Sequence, residues 1–286
     1  MATTMLNDII NPQVMGDMIE AKIPHMLKFT PFAKLDTSLV GVPGDTKTVP
    51  SWNFVGAAED VAEGAEVTTK KLTASSTEFT VKKAMQSVGI TQESINSGLG
   101  DPIGQAESQL AKAIAVKLDA DVLAALKTAT MTYDGSSGKI SYDGIVDAIG
   151  VLDEEENTDK AMFVAPAQVT SLRKDGNFID KNKYGNDVMV TGEIGMVGNT
   201  RIVPSKQIVK DASGNFVNPI VKLEPASADT EYAETELAAI TIFLKKDTSV
   251  DHEWFPKKQT HDITAAKYYG VALTNAAKVV LATFKA

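Results

Sequence analysis

The chain has 286 residues, a formal net charge of −9 and no cysteine. The missing thiols exclude disulfides and thiolate-held zinc. Arg173 and Arg201 are the only arginines, and the acidic balance argues against a dedicated grip on nucleic-acid phosphates.

Residues 1–40 read as an arm. They lack the basic start, apolar stretch and small-residue cleavage site of a secretion signal. Met5, Ile9, Ile10, Val14, Met18 and Ile19 stand at partly helical spacing. Pro12 interrupts them and Pro24 and Pro31 follow, so short helical pieces in an extended segment are expected. Gly41 to Asp45 forms a turn cluster. Residues 46–55 read as a strand with Trp52 and Phe54 on one face. Residues 77–91 read as another, with Phe79 and Val81 alternating with polar neighbours. Between them Glu59, Asp60, Glu63 and Glu66 precede Lys70 and Lys71. Residues 41–91 are thus expected to form a long β-hairpin and its base. A two-stranded hairpin alone in water is marginally stable at best, so it needs a further surface. Pattern leaves two open: its own body or a neighbouring subunit.

Asp101 suits an N-cap and Pro102 a first helical position. Ile103, Leu110, Ile114, Leu118, Val122 and Leu126 form a helical stripe, and no breaker precedes Gly135, so a helix roughly 40 Å long is expected. Tyr142, Ile145, Ile149 and Leu152 read as a second helix. Residues 161–164 read as a buried strand, and 166–174 as a third helix with Val169 and Leu172 inward. Residues 200–203, 219–223 and 237–244 read as strands, with Gly214 and Asn215 marking a turn. The mixture over 135–245 suggests a compact α/β lobe. Alternation through Val250, His252 and Trp254, then through Tyr269, Val271 and Leu273, predicts further strands. Residues 278–284 predict a last, apolar one. No uncharged apolar run approaches the ~20 residues of a membrane span.

No arrangement of residues points to chemistry. His25, His252 and His261 lack helical metal-pair spacing, and read as surface or packed histidines. No Gly-x-Ser-x-Gly elbow or P-loop is present. Glu154-Glu155-Glu156 reads as a solvated turn. Gly192, Gly195 and Gly198 have the wrong spacing for a dinucleotide fingerprint, and extended sequence follows them. A glycine-rich turn into a strand is expected. No catalytic, cofactor-binding or metal-binding residue is predicted.

The order of these parts resembles the Hong-Kong-ninety-seven-type fold of tailed-bacteriophage major capsid proteins. The carrying stretches are Ile10-Asn11-Pro12-Gln13-Val14 with Met18-Ile19-Glu20-Ala21-Lys22, then Gly44-Asp45-Thr46 with Val49-Pro50-Ser51-Trp52. They continue with Asp101-Pro102, Leu118-Asp119-Ala120-Asp121, Tyr142-Asp143-Gly144-Ile145-Val146-Asp147-Ala148 and Val164-Ala165-Pro166. The last is Tyr268-Tyr269-Gly270-Val271-Ala272-Leu273-Thr274-Asn275. The resemblance implies an α+β fold. Its parts are an N-terminal arm (1–40), an extended β-hairpin loop (41–91), a peripheral domain with a spine helix (92–134), an axial domain (135–248) and peripheral return strands (249–286). It implies a protein that is not an enzyme. Hexamers and pentamers of it would enclose double-stranded DNA without sequence-specific binding, in a virion assembled in the host cytoplasm. A hairpin reaching a neighbour is implied too, with Trp52, Phe54, Glu59, Glu63, Glu66, Lys70 and Lys71 as inter-subunit contact candidates. Because the arm begins almost at once, a separate scaffolding protein is expected, beside a portal protein. No cofactor and no membrane are implied. A bacterial encapsulin is the rival in the same fold, and an enzyme with an unrecognised site the rival from another class.

Overall fold

The computed structural model describes residues 27–52, 58, 60–61, 66–71, 74–97, 102–154, 158–175, 196–223 and 238–286. In chain order its elements are β1 (Lys34–Asp36), β2 (Thr46–Trp52), β3 (Ala74–Thr80), β4 (Lys82–Thr91), α1 (Gln92–Ser97), α2 (Pro102–Leu126) and β5 (Met131–Lys139). Then come α3 (Tyr142–Gly150), β6 (Lys160–Val164), α4 (Pro166–Leu172), β7 (Met196–Val197), β8 (Thr200–Pro204) and β9 (Asn215–Lys222). The last three are β10 (Ile240–Phe255), β11 (Thr260–Leu273) and β12 (Val279–Lys285). They form a four-stranded sheet in the order β1-β10-β11-β4, a six-stranded sheet in the order β5-β12-β9-β6-β8-β7, and the two-stranded ribbon β2-β3. Most of the N-terminal arm and Asp101 lie outside the described residues.

Helix α2 has 25 residues and is about 38 Å long. Its stripe from Leu110 to Leu126 is buried as the spacing predicts. Leu110 and Ile114 join a cluster with Ile90, Val250, Ile263 and Ala265 of the four-stranded sheet. Leu118, Val122 and Leu126 join another with Tyr269 and Ile242, against which Val271 and Leu273 pack. The helix ends where Thr128 turns its hydroxyl back to the Ala125 carbonyl at 2.7 Å. The run Met131-Thr132-Tyr133 then favours the extended β5.

In the lobe, the Ser141 hydroxyl accepts from the Gly144 N–H and starts α3. Pro219, within β9, has no N–H to continue the ladder beyond the Met162–Ile220 pair. The buried Asn218 side chain compensates, donating to the Phe163 carbonyl at 2.8 Å. It also exchanges hydrogen bonds with Gln168 of α4 at 2.7 and 2.8 Å. Glu154 corrects the expectation of a solvated turn. Its carboxylate is 2.5 Å from the buried Lys160 ammonium and 3.0 Å from that of Lys222. A lysine at the start of a buried strand needs a counter-charge, and this residue supplies it. Gly198, with φ +50°, turns β7 into β8 as expected, while Gly192 and Gly195 lie outside the described residues.

The expected boundary at residue 248 coincides with neither sheet. β10 begins at Ile240 in the four-stranded sheet, and β12, expected among the return strands, lies between β5 and β9. The reason is burial on both faces. Val279 belongs to the cluster beneath α2, and the next residue, Val280, to the lobe core. A strand apolar on both sides takes an interior position in a covered sheet.

Candidate assembly surfaces

The β2–β3 ribbon runs in unbroken antiparallel register from Thr46↔Thr80 at its base to Trp52↔Ala74, about 23 Å of extended chain. Among the described strands, β2 and β3 pair only with each other. Pro50, which cannot donate to a ladder, is tolerated on such an edge.

Its base is held firmly. Phe79 stacks on Phe243 with ring centroids 6.0 Å apart. Phe79 and Val81 pack on the buried trio Leu39, Phe243 and Ala272. Lys245 donates to the Gly44 carbonyl at 2.6 Å and pairs with the Asp45 carboxylate. Lys47 donates to the Ser38 hydroxyl at 2.5 Å and lies 3.6 Å from Asp36. Gly270 allows the closest approach. A Cβ there would meet the Thr80 carbonyl oxygen at 3.2 Å and the Val81 Cα at 3.6 Å.

Strand register tells on which side this happens. Side chains alternate across a sheet. Gly270 and Ala272, paired with Phe243 and Thr241, face the ribbon base. Tyr269 and Val271, paired with Leu244 and Ile242, face α2. Ribbon base and long helix therefore sit on opposite faces of the four-stranded sheet.

The expected contact residues divide accordingly. Trp52 closes the outer end of β2, opposite Ala74, with its side chain outside the described residues. Phe54, Glu59 and Glu63 also lie outside them. Glu66, Lys70 and Lys71 are exposed in the loop between the strands.

A second anchor joins the arm to the body. The buried Asp119 of α2 accepts from the Lys28 N–H at 2.7 Å, from the Phe29 and Thr30 N–H groups at 3.2 Å, and from the Thr30 hydroxyl at 3.0 Å. It thereby satisfies the donors that open the short turn at Thr30–Phe32. Phe29 then enters the core with its ring 4.4 Å from that of Phe163 in the six-stranded sheet. Two residues on, Asp121 accepts from the Tyr269 hydroxyl and Lys117, both at 2.9 Å, and lies 3.1 Å from Lys82. Burial works to raise the Asp121 carboxyl. The bonds from Lys117, Tyr269 and Lys82 outweigh it and leave the group below the ordinary range. Burial and then Asp121 push the Tyr269 hydroxyl well above its usual value. Acidic residues at inward positions of an apolar stripe were the available signal for both anchors. Gly270 and Phe243 carried none, because their roles depend on strand pairing.

His252 and His261 form a packed pair, and His25 lies outside the described residues. His252 Nε2 lies 2.8 Å from His261 Nδ1, and the buried His261 ring reaches Gln92 at 3.1 Å. Among the described residues no group of three or more His, Asp or Glu side chains is arranged to hold a metal ion.

A family model described as phage capsid protein matches residues 74–282. The major capsid protein of Staphylococcus phage phiMR11 is 30% identical over 283 residues, covering 98% of this chain and 95% of that protein. Solved structures agree in fold at low identity. The cyanophage Pam1 capsid superposes with a TM-score of 0.69 at 11% identity, over 91% of this chain and 92% of its own. A Mycobacterium phage Che8 structure gives 0.69 at 14%, over 89% and 90%. The capsid of an empty GTA particle gives 0.70 at 14%, over 91% and 90%. The α+β architecture is thus of the Hong-Kong-ninety-seven type, and an encapsulin or an enzyme is not favoured. The chain belongs to the phage capsid protein family and is a shell-forming major capsid protein of a tailed phage.

Proposed function

We propose that the shell is built from hexamers and pentamers of this chain, and that the β2–β3 ribbon is the element that links one subunit to the next. The observation that carries the reading is a ribbon fixed at its base by Phe79, Val81 and Lys245, whose strands pair with no other described strand. Hairpins of this kind are marginal without a covering surface, and a neighbouring copy supplies one. The candidate contacts Trp52, Phe54, Glu59, Glu63, Glu66, Lys70 and Lys71 all belong to the outer strand end or the loop. The axial domain is the six-stranded lobe, and the peripheral domain the four-stranded sheet with α2. The enclosed cargo is double-stranded DNA, held without sequence-specific contact. A net charge of −9 keeps a densely packed polyanion from adhering to its container. Assembly takes place in the host cytoplasm with a separate scaffolding protein and a portal protein. Deleting residues 56–73 tests the role of the ribbon. The variant is expected to keep its circular dichroism spectrum and yield few particles. Normal shells would refute the linking role, and global unfolding would assign the hairpin to its own core.

A further inference from the structure

The far end of the four-stranded sheet carries a chain of polar side chains. Trp254 and His261 are partners across β10 and β11, with ring centroids 4.3 Å apart. His252 is the partner of Ile263, which lies under α2, so both histidines stand on the face that α2 covers. Their rings are parallel to within 18°, with His252 Nε2 2.8 Å from His261 Nδ1. His261 is buried and His252 half-buried.

His261 reaches on to Gln92, the first residue of α1. The Gln92 amide donates from Nε2 to Asn96 Oδ1 at 3.0 Å, which leaves its Oε1 to accept from His261 Nε2–H at 3.1 Å. The Gln92 backbone N–H donates to the Gln259 carbonyl at 2.8 Å. Gln259 stands at φ +48° in the turn between β10 and β11, a conformation that a residue other than glycine keeps where its surroundings hold it. These bonds fasten the turn to α1.

The count of protons limits the arrangement. One proton must lie between His252 Nε2 and His261 Nδ1, and a second lies on His261 Nε2 towards Gln92. His252 Nδ1 can take one more, so a pair with a single positive charge keeps every bond. A second charge puts an N–H on both inner nitrogens, and two donors 2.8 Å apart repel. Of the charged groups on the surrounding elements, Glu93 of α1 and Lys257 and Lys258 of the turn are exposed, and Glu107 of α2 is buried. Asp251, Glu253 and Asp262 alternate to the opposite face of the sheet. Burial, and then His252, hold His261 below its ordinary value.

We propose that His252 and His261 form a proton-operated latch, which fastens the β10–β11 turn to α1 at neutral pH and lets go when both rings are charged. An opened latch returns His261 to an ordinary imidazole, with a pKa of about 6.5. The closed form binds that proton less readily, so it is fully favoured above this value and loses ground as pH falls below it. Opening frees the turn and α1 while β4, β10 and β11 stay paired. The open form titrates as an unfolded chain does, so the urea midpoint stays nearly level over the same range. The latch does not depend on the hairpin linking subunits.

Amide exchange of the full chain, compared at about pH 7.5 and about pH 5 and corrected for its intrinsic pH dependence, tests the latch. Protection of residues 91–97 and 255–261 is expected to fall roughly tenfold in acid, a size set by a histidine returned to about 6.5. Protection of residues 110–126 in α2 should be kept. His261→Gln takes no charge yet can donate to Gln92 and accept from His252, so its protection should be the same at both pH values. His252→Gln, at the half-buried position, offers an amide oxygen to a protonated His261 and should remove most of the fall. It decides alone where His261→Gln does not fold. Unchanged protection of the two segments in the wild-type chain, an equal loss in α2, or a fall that survives in either folded variant would overturn the latch.

Discussion

The β2–β3 ribbon and the six-stranded sheet are built from similar strand sequence yet are stabilised in opposite ways. In the six-stranded sheet β12 is buried on both faces, beneath α2 on one and in the lobe core on the other. Even its polar groups, Asn218 with Gln168 and Lys160 with Glu154, find partners inside. The ribbon is anchored at its base, where Phe79 and Val81 meet the four-stranded sheet and Lys245 holds Gly44 and Asp45. Beyond that base, among the described strands, its two strands pair only with each other. The body is made to be stable as one chain. On the proposed reading, the ribbon gains its stabilisation from another.

If that division holds, substitutions in the body cost stability before they cost assembly. The largest effect is expected at Leu118, on the buried face of α2 among Tyr269, Val122 and Ile242. Leu118→Ala should cost about 2–5 kcal/mol in urea denaturation, as for other core truncations. A cost below about 0.5 kcal/mol, the range of exposed positions, would break the comparison.

An intermediate effect is expected at the seam between the two regions. Gly270→Ala places a methyl 3.2 Å from the Thr80 carbonyl oxygen, where backbone must give way. The expected cost is about 1–3 kcal/mol, as for other overpacked sites, with limited proteolysis speeding up in the hairpin before the body. Unchanged proteolysis there would mean that the base is not the anchor.

The smallest effect is on pH dependence, and it belongs to the body alone. For Asp121 and Glu154, burial raises the carboxyl pKa, and hydrogen bonds from lysines and hydroxyls outweigh it, so both stand below the ordinary value. A group depressed in the folded state adds stability that is fully present above its unfolded pKa, about 4. That contribution is lost as pH falls through the folded pKa. The urea midpoint should therefore be flat from pH 7 to about 5 and fall below about 4. Asp121→Asn should make the acid limb shallower. An equally steep limb would place the titrating groups elsewhere.

Much of this was legible in the sequence because it rests on periodicity. The stripe from Leu110 to Leu126 predicts a helix and its buried side. The alternation in 46–55 and 77–91 with a polar stretch between predicts a hairpin, though its second strand ends at Thr80 and Lys82–Thr91 joins the four-stranded sheet, and the order of the parts identifies the family. Apolar spacing reports which side of an element avoids water, and that is local information. What covers that side is not local. The sequence shows Glu154 as one of three glutamates before a loop, and only the folded lobe brings the Lys160 ammonium against it. It shows residues 279–285 as an apolar strand, and only sheet pairing places that strand between β5 and β9. Asp119, Asp121 and Gly270 lie within stretches whose resemblance was plain, yet their work is done on residues about 90, 148 and 190 positions away. Through-space hydrogen bonds and close backbone approaches carry no periodic signature, so only the tertiary structure decided that Asp119 holds the arm, Tyr269 fastens α2 and Gly270 seats the hairpin.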